Sequence, residues 1–212
     1  GAIIHNKLGY KYQLTGLDRA DHDWPRAFVA DLSDLEAIRP AFEGQDTIVH
    51  LGGDPSPGAT WESTLQNNIV GTRNVYEAAR LAGASRVVFA STNHVIGYFP
   101  MKQDPYRAIY EGRLKDVRRP FPLLTDKDVR PDSYYGVSKA FGEVLGRYYY
   151  DQYGLSFIGL RIGGVLTEPD WHRRSHAGLA MLLSHRDAAQ LVERSIEAPS
   201  SVGYAVVYGM SN

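Results

Sequence analysis

The sequence has no cysteine among its 212 residues. That excludes a disulfide framework, a cysteine-based zinc site and a thiol nucleophile. It also lacks an excess of either charge, with 23 basic and 24 acidic side chains and a formal net charge of −1. Both signs are scattered, so there is no electrostatic footprint for nucleic acid or an anionic membrane. No apolar run approaches the roughly 18 residues of a membrane span. The N-terminus lacks the basic-then-apolar pattern of a signal peptide. Gly-x-Ser-x-Gly does not occur, which removes the usual signal for acyl hydrolysis. The expectation is one globular domain over residues 1–212, cytoplasmic, large enough to bury a core without covalent staples.

What is there is an alternation of apolar runs with helical periods. Tyr12–Asp18, Ala27–Asp31, Thr47–Gly53, Arg86–Thr92, Ser156–Val165 and Tyr204–Met210 read as strands. Helices are predicted over Ser33–Gly44 (Ser33 and Glu36 as a capping box), Thr60–Gly83, Ser133–Gly154 and Ser184–Ala198. Buried strands alternating with helices give an α/β fold, a doubly wound parallel sheet covered on both faces. Two stretches break the rhythm, Gly97–Asp132 and Thr167–Leu183, and read as excursions over the functional edge of the sheet. The opening GAIIHNKLG reads as a first helix with no strand and glycine-rich turn before it. Gly1 would be the last glycine of that turn, in a sequence either cropped or lacking the loop.

The Tyr-x-x-x-Lys spacing occurs at Tyr98/Lys102 and at Tyr135/Lys139. With 14 tyrosines in the chain, chance alone supplies about 0.4 such matches, so spacing does not choose between them. The chemistry needs phenol and ammonium one turn apart on one helix face. Pro100 is expected to oppose that turn in the first pair, whereas Tyr135–Lys139 opens a long helix. There Lys139 is expected to favour the phenolate of Tyr135 and make it a usable base. Ser91 or Thr92, at the end of a strand, supplies a hydroxyl for a substrate alcohol, with Asn93 and His94 entering the same cleft. Asp18 ends a strand 17 residues after Gly1, near the spacing at which a carboxylate accepts the adenosine ribose hydroxyls of NAD. It disfavours a 2′-phosphate, which the adjacent Arg19 would tolerate. Asp31 accepts from the adenine amino group or starts the following turn. Leu51-Gly52-Gly53 ends a strand without bulk, either for cofactor approach or for a tight turn. His172 and His176 have metal-pair spacing, but Arg173 and Arg174 between them oppose a dication, so no metal site is expected.

Asp18, Asp31-Leu32, His50-Leu51-Gly52-Gly53, Asn68 to Asn74, Ser91-Thr92 and Tyr135 to Lys139 follow one another in the order and spacing of a known family. The chain resembles the extended short-chain dehydrogenase/reductase superfamily, the NAD-dependent epimerase/dehydratase family. The run from Ser91 to Pro100 is most similar to the uronate dehydrogenases within it. The resemblance implies a Rossmann-like fold without its first strand and glycine-rich loop. It implies NAD as cofactor, bound by Gly1, Asp18, Arg19, Asp31, Leu32, Leu51, Gly52, Gly53, Asn68, Ser91, Tyr135, Lys139 and Ile162. It implies Tyr135 as base, Lys139 as its partner and Thr92 in the hydroxyl role. Ser56, Asn93 and His94 would contact the sugar or sugar acid, and Arg173 or Arg174 would grip its carboxylate. Gly164 departs from the pattern, standing where uronate dehydrogenases carry a substrate-binding serine.

The activity implied is oxidation of a hexuronic acid at the anomeric carbon to an aldarolactone. The alternatives are a nucleotide-sugar epimerase or dehydratase using the same tyrosine, and a catalytically silent NAD-binding or scaffold protein. The helices Thr60–Gly83 and Ser133–Gly154 form the dimer face in the resembling family, so a homodimer is expected.

Overall fold

The structure, a computed structural model, describes residues 1–24, 26–166 and 176–211, the side chains of 176 and 177 excepted. The chain opens with helix α1 (Ala2–Leu8), then the parallel pair β1 (Gly16–Asp18) and β2 (Ala27–Val29). Helix α2 is only Leu35–Ile38 and passes into a 3₁₀ turn over Arg39–Phe42 that carries Pro40. Its cap is Asp34, which accepts from the Ala37 N–H, so the expected Ser33/Glu36 capping box is not formed. Strand β3 (Thr47–His50) follows. One long helical stretch then comprises α3 (Trp61–Ser63), a π-helical segment Thr64–Val70, and α4 (Gly71–Leu81).

Strand β4 (Arg86–Thr92) lies where the apolar run placed it. The first excursion holds α5 (Tyr98–Lys102) and α6 (Tyr106–Tyr110) before the long α7 (Tyr134–Tyr153). The sequence signals at both ends of α7 act as expected: the Ser133 hydroxyl accepts from Gly136 N–H, and Gly154 takes φ +72°. The run expected as one strand breaks at Gly163 into β5 (Ser156–Ile162) and β6 (Gly164–Leu166). After α8 (His176–Ala180) come β7 (Leu182–Ser184), α9 (His185–Ile196) and β8 (Tyr204–Gly209).

The sheet is parallel, as expected, but divided. β3-β4-β5-β8 form the central four strands, β1-β2 and β6-β7 two separate pairs. A cavity of about 240 Å³ lies between Leu17 of β1 and Ile48 of β3. The double winding is visible in the core. Val87, Phe89 and Phe157 pack with Val75, Tyr76 and Tyr149 from α4 and α7. The alternate residues of the same strands, Val88, Ile158 and Leu160, pack on the opposite face with Ile4, Leu8 and Val192 from α1 and α9. Alternation along each strand thus feeds two buried layers. It also brings the carboxyl ends of β3, β4 and β5 to one edge, beside the start of α7.

The reason for setting aside Tyr98/Lys102 does not survive. Pro100 is the third residue of α5, inside the first turn, where its missing N–H has no intrahelical partner to lose. Position decides instead, because only Tyr135 and Lys139 of the two pairs line the crevice described below.

Candidate active site

Two cavities run along the carboxyl edge of the sheet and share Leu51, Gly53, Asp54 and Pro55. The outer one, about 390 Å³, is lined by Asp18, Arg19, Asp31, Leu32 and Gly52. The inner one, about 260 Å³, is lined by Gly1, Ser91, Ile162, Tyr135 and Lys139. Together they form one crevice, acidic at its outer end and bedded on Ile3, Ile4, Leu160 and Leu191 at its inner end.

The floor between them is held from an unexpected direction. Asn68 sits in the π-helical segment, buried, and brackets Asp54: its Oδ1 accepts the Asp54 N–H at 2.6 Å and its Nδ2 donates to the Asp54 carbonyl at 3.0 Å. The same Nδ2 donates to Ser138 Oγ on α7 at 3.0 Å. A π turn shifts the side-chain register by one residue, and such turns concentrate at functional sites. Gly53 turns the chain at φ +124°, and a Cβ there would lie 2.9 Å from Asn68 Oδ1, so glycine is required at this step. Asp54 was not expected. Its carboxyl is held below the usual range, chiefly by the Ser63 hydroxyl at 2.6 Å.

At the inner end the Thr92 side chain is near enough to the Tyr135 phenol to favour its ionised form. Thr92 is buried at the end of β4 and its Oγ1 also accepts the His94 N–H at 3.3 Å. Ser91, its rival for the hydroxyl role, donates to Glu143 Oε1 at 2.5 Å and is thereby engaged. Gly136 lets α7 start against the turn after β4, since a Cβ there would lie 2.6 Å from the His94 carbonyl oxygen. Lys139 Nζ lies 4.8 Å from the Phe89 ring centre and 5.8 Å from that of Tyr135. Burial lowers its pKa to about 8. Tyr135 does not show the depressed pKa expected from this neighbour. Burial raises it, and only the Thr92 side chain pulls the other way.

The other expected residues divide. Asp18 and Asp31 both line the outer cavity and both also bond locally: Asp18 accepts from Ala20 N–H and Asp31 from Ser33 N–H. Asp31 therefore starts the turn as well as facing the crevice. Its carboxyl is held low by the Ser33 main-chain N–H first and Arg19 last. Asn93 donates to Met181 Sδ at 3.1 Å. Ser56 is exposed, accepts from Gly58 N–H in a local turn, and lines neither cavity. Arg173, Arg174 and His172 lie outside the described residues. Among the described residues no group of three His, Asp or Glu side chains is placed to hold a metal.

The NAD dependent epimerase/dehydratase family model matches residues 1–187. The chain belongs to that family. It is 39% identical to an NAD-dependent glucose-6-phosphate dehydrogenase of Haloferax volcanii, over all of this chain and 81% of that relative. It is 41% identical to a uronate dehydrogenase of Agrobacterium fabrum over 85% of this chain; the match spans 59% of that relative's length. In structure it is similar to uronate dehydrogenase from Agrobacterium tumefaciens in complex with NAD, at 35% identity and TM-score 0.82, over all of this chain and 72% of that one.

NAD is the family's cofactor, and the crevice fits it. The carboxylates of Asp18 and Asp31 at the outer end are acceptors of the kind ribose and adenine donors need, Gly52 and Gly53 leave the floor without bulk, and Ile162 with Lys139 line the end beside Tyr135.

Proposed function

We propose that this family member is an NAD-dependent sugar oxidoreductase that oxidises a hexuronic acid at its anomeric carbon to an aldarolactone. The observation that carries the reading is the phenol of Tyr135, one helical turn from the buried Lys139, with both residues lining the inner end of the crevice. The 41% identity to a uronate dehydrogenase supports the substrate class. Bound NAD supplies the hydride acceptor and, in its oxidised form, a positive charge. Thr92 orients the anomeric hydroxyl, and Tyr135 takes its proton as hydride leaves the same carbon. The raised pKa of Tyr135 means that positive charge must be brought beside it before it serves as a base. Lys139 is mostly an ammonium at neutral pH but does not by itself lower the Tyr135 pKa, so the further charge is assigned to bound NAD.

A second reading has its own support. The glucose-6-phosphate dehydrogenase match extends over this whole chain and a larger share of the relative. An aldose whose anion is a phosphate would be oxidised at the same carbon by the same groups. NADH formation with D-glucuronate, D-galacturonate and glucose 6-phosphate, with Tyr135→Phe as control, separates the two. Turnover on a uronate that the variant loses, with NAD binding retained, is the expected result. Turnover on the phosphate alone transfers the assignment to the second reading. NAD binding without any turnover points to a nucleotide sugar, and neither binding nor turnover to a silent scaffold.

The chain acts in this reading as one domain with substrate-side excursions at 97–132 and 167–183, in the cytoplasm where a dissociable dinucleotide is available. A homodimer is supported by Tyr134, Val137, Val144 and Tyr148, which form an exposed apolar stripe along α7. Sedimentation as a monomer at micromolar concentration would remove that part. No helix among the described residues is long and apolar enough to cross a membrane.

A further inference from the structure

His94 and Asp132 form a pair that the proton transfer above does not use. His94 belongs to the 3₁₀ turn Asn93–Ile96 that follows Thr92, and its ring meets that of Tyr135 edge-on at 5.7 Å. Its Nδ1 lies 2.8 and 3.0 Å from the two carboxylate oxygens of Asp132. The side chains are unequally covered: the carboxylate is 6% exposed, the imidazole 30%. Asp132 is itself held, since the Ser133 hydroxyl donates to it at 2.9 Å and Gly97 leaves room for its carboxylate. No lysine or arginine pairs with Asp132 among the described residues, so its side-chain partners there are the His94 imidazole and the Ser133 hydroxyl.

A carboxylate only accepts, so Nδ1 donates to it. In a neutral imidazole the proton on Nδ1 leaves a lone pair on Nε2, which can accept a hydrogen bond and cannot give one. No described side chain occupies Nε2. The ring is therefore matched to a hydroxyl of the ligand and mismatched to a carboxylate. The main chain fixes this arrangement independently of the Asp132 side chain. Arg130 N–H donates to the Val95 carbonyl at 2.8 Å, and Tyr98 N–H to that of Arg130 at 3.0 Å. The α7 cap comes from the Ser133 hydroxyl.

We propose that Asp132 is a positioning residue that locks His94 in the Nδ1–H tautomer, so that Nε2 accepts a hydroxyl of the sugar held beside Tyr135. The substrate half of this statement rests on the sugar-oxidoreductase reading; the tautomer half does not. Two measurements test it. Long-range ¹H–¹⁵N correlation of the imidazoles, with His94 assigned by its loss in His94→Gln, should show Nδ1 protonated and Nε2 bare. In Asp132→Asn, whose amide can turn either face to the ring, the two tautomers should mix. In turnover, Asp132→Asn should lower kcat/KM about tenfold, mainly through KM, as expected for one misplaced hydrogen bond. The same substitution in a His94→Gln background should change it less than twofold. An Nε2-protonated ring in the unsubstituted protein overturns the proposal whether or not a sugar is turned over. Equal losses in both backgrounds also overturn it, because Asp132 would then act through the fold and not through His94. A bare Nε2 with no turnover on any sugar supports the tautomer lock and rejects the oxidoreductase reading alone.

Discussion

Replacing Glu143 with glutamine removes one charge from the most enclosed ion pair described. Arg161 is fully buried and the Glu143 side chain 5% exposed. Glu143 Oε1 accepts from Ser91 Oγ at 2.5 Å and Arg161 Nε at 2.9 Å, while Oε2 accepts from Arg161 Nη2 at 2.8 Å. Glutamine keeps one acceptor and turns an NH₂ group toward a donor that has nowhere to move. It also leaves the guanidinium without a counter-charge. Breaking a buried pair from one side costs about 3–5 kcal/mol. For a chain of this size that lowers Tm by roughly 6–20 °C.

The guanidinium has other partners that limit its relief: the carbonyls of Thr125, Asp126 and Asp128, and the Tyr208 hydroxyl. Those bonds pin the return of the first excursion to the sheet. Replacing both members with apolar residues, Glu143→Met with Arg161→Leu, should therefore recover only part of the loss. Urea unfolding at pH 7 measures both. A loss under about 1 kcal/mol in Glu143→Gln would refute the reasoning, since it would mean the guanidinium finds water or a new acceptor at no cost.

Two further outcomes follow from burial of titratable groups. Lys139 holds its proton in the unfolded chain up to its ordinary range near 10.5 but releases it near 8 when folded. Its burial therefore costs about 3 kcal/mol at and below pH 8, and stability recovers as pH rises through that window. Lys139→Met should raise stability at pH 7 while abolishing turnover, and an unchanged or lower Tm would sink this account. His50 is buried with Nε2 3.1 Å from Thr72 Oγ1, and burial, with Lys139 second, lowers its pKa to about 3. Below pH 6.5 the unfolded chain takes a proton that the folded chain refuses, so His50 removes about 1.4 kcal/mol per pH unit as pH falls. His50→Gln should flatten the acid limb of a stability–pH curve by one proton, and an unaltered slope would show that other groups set it.

What the sequence determined by itself is what local rules can carry. Strand β4 and both ends of α7 stand where an apolar run, a capping serine and a terminal glycine put them, because each signal acts within a few residues. The Tyr135/Lys139 pair was legible for the same reason, being one helical turn. Tertiary structure decided the rest. Pro100 was misread because its effect depends on where a helix begins, and Ser33 because the neighbouring Asp34 reaches the free N–H instead. Ser91 is engaged by Glu143, 52 residues away. Asp132 reaches His94 across 38 residues, and Asn68 reaches Ser138 across 70. The shifts of Tyr135, Lys139 and His50 likewise come mainly from desolvation. Hydrogen-bond partners distant along the chain and the removal of water are set by where the folded chain passes, which no local pattern of residues encodes.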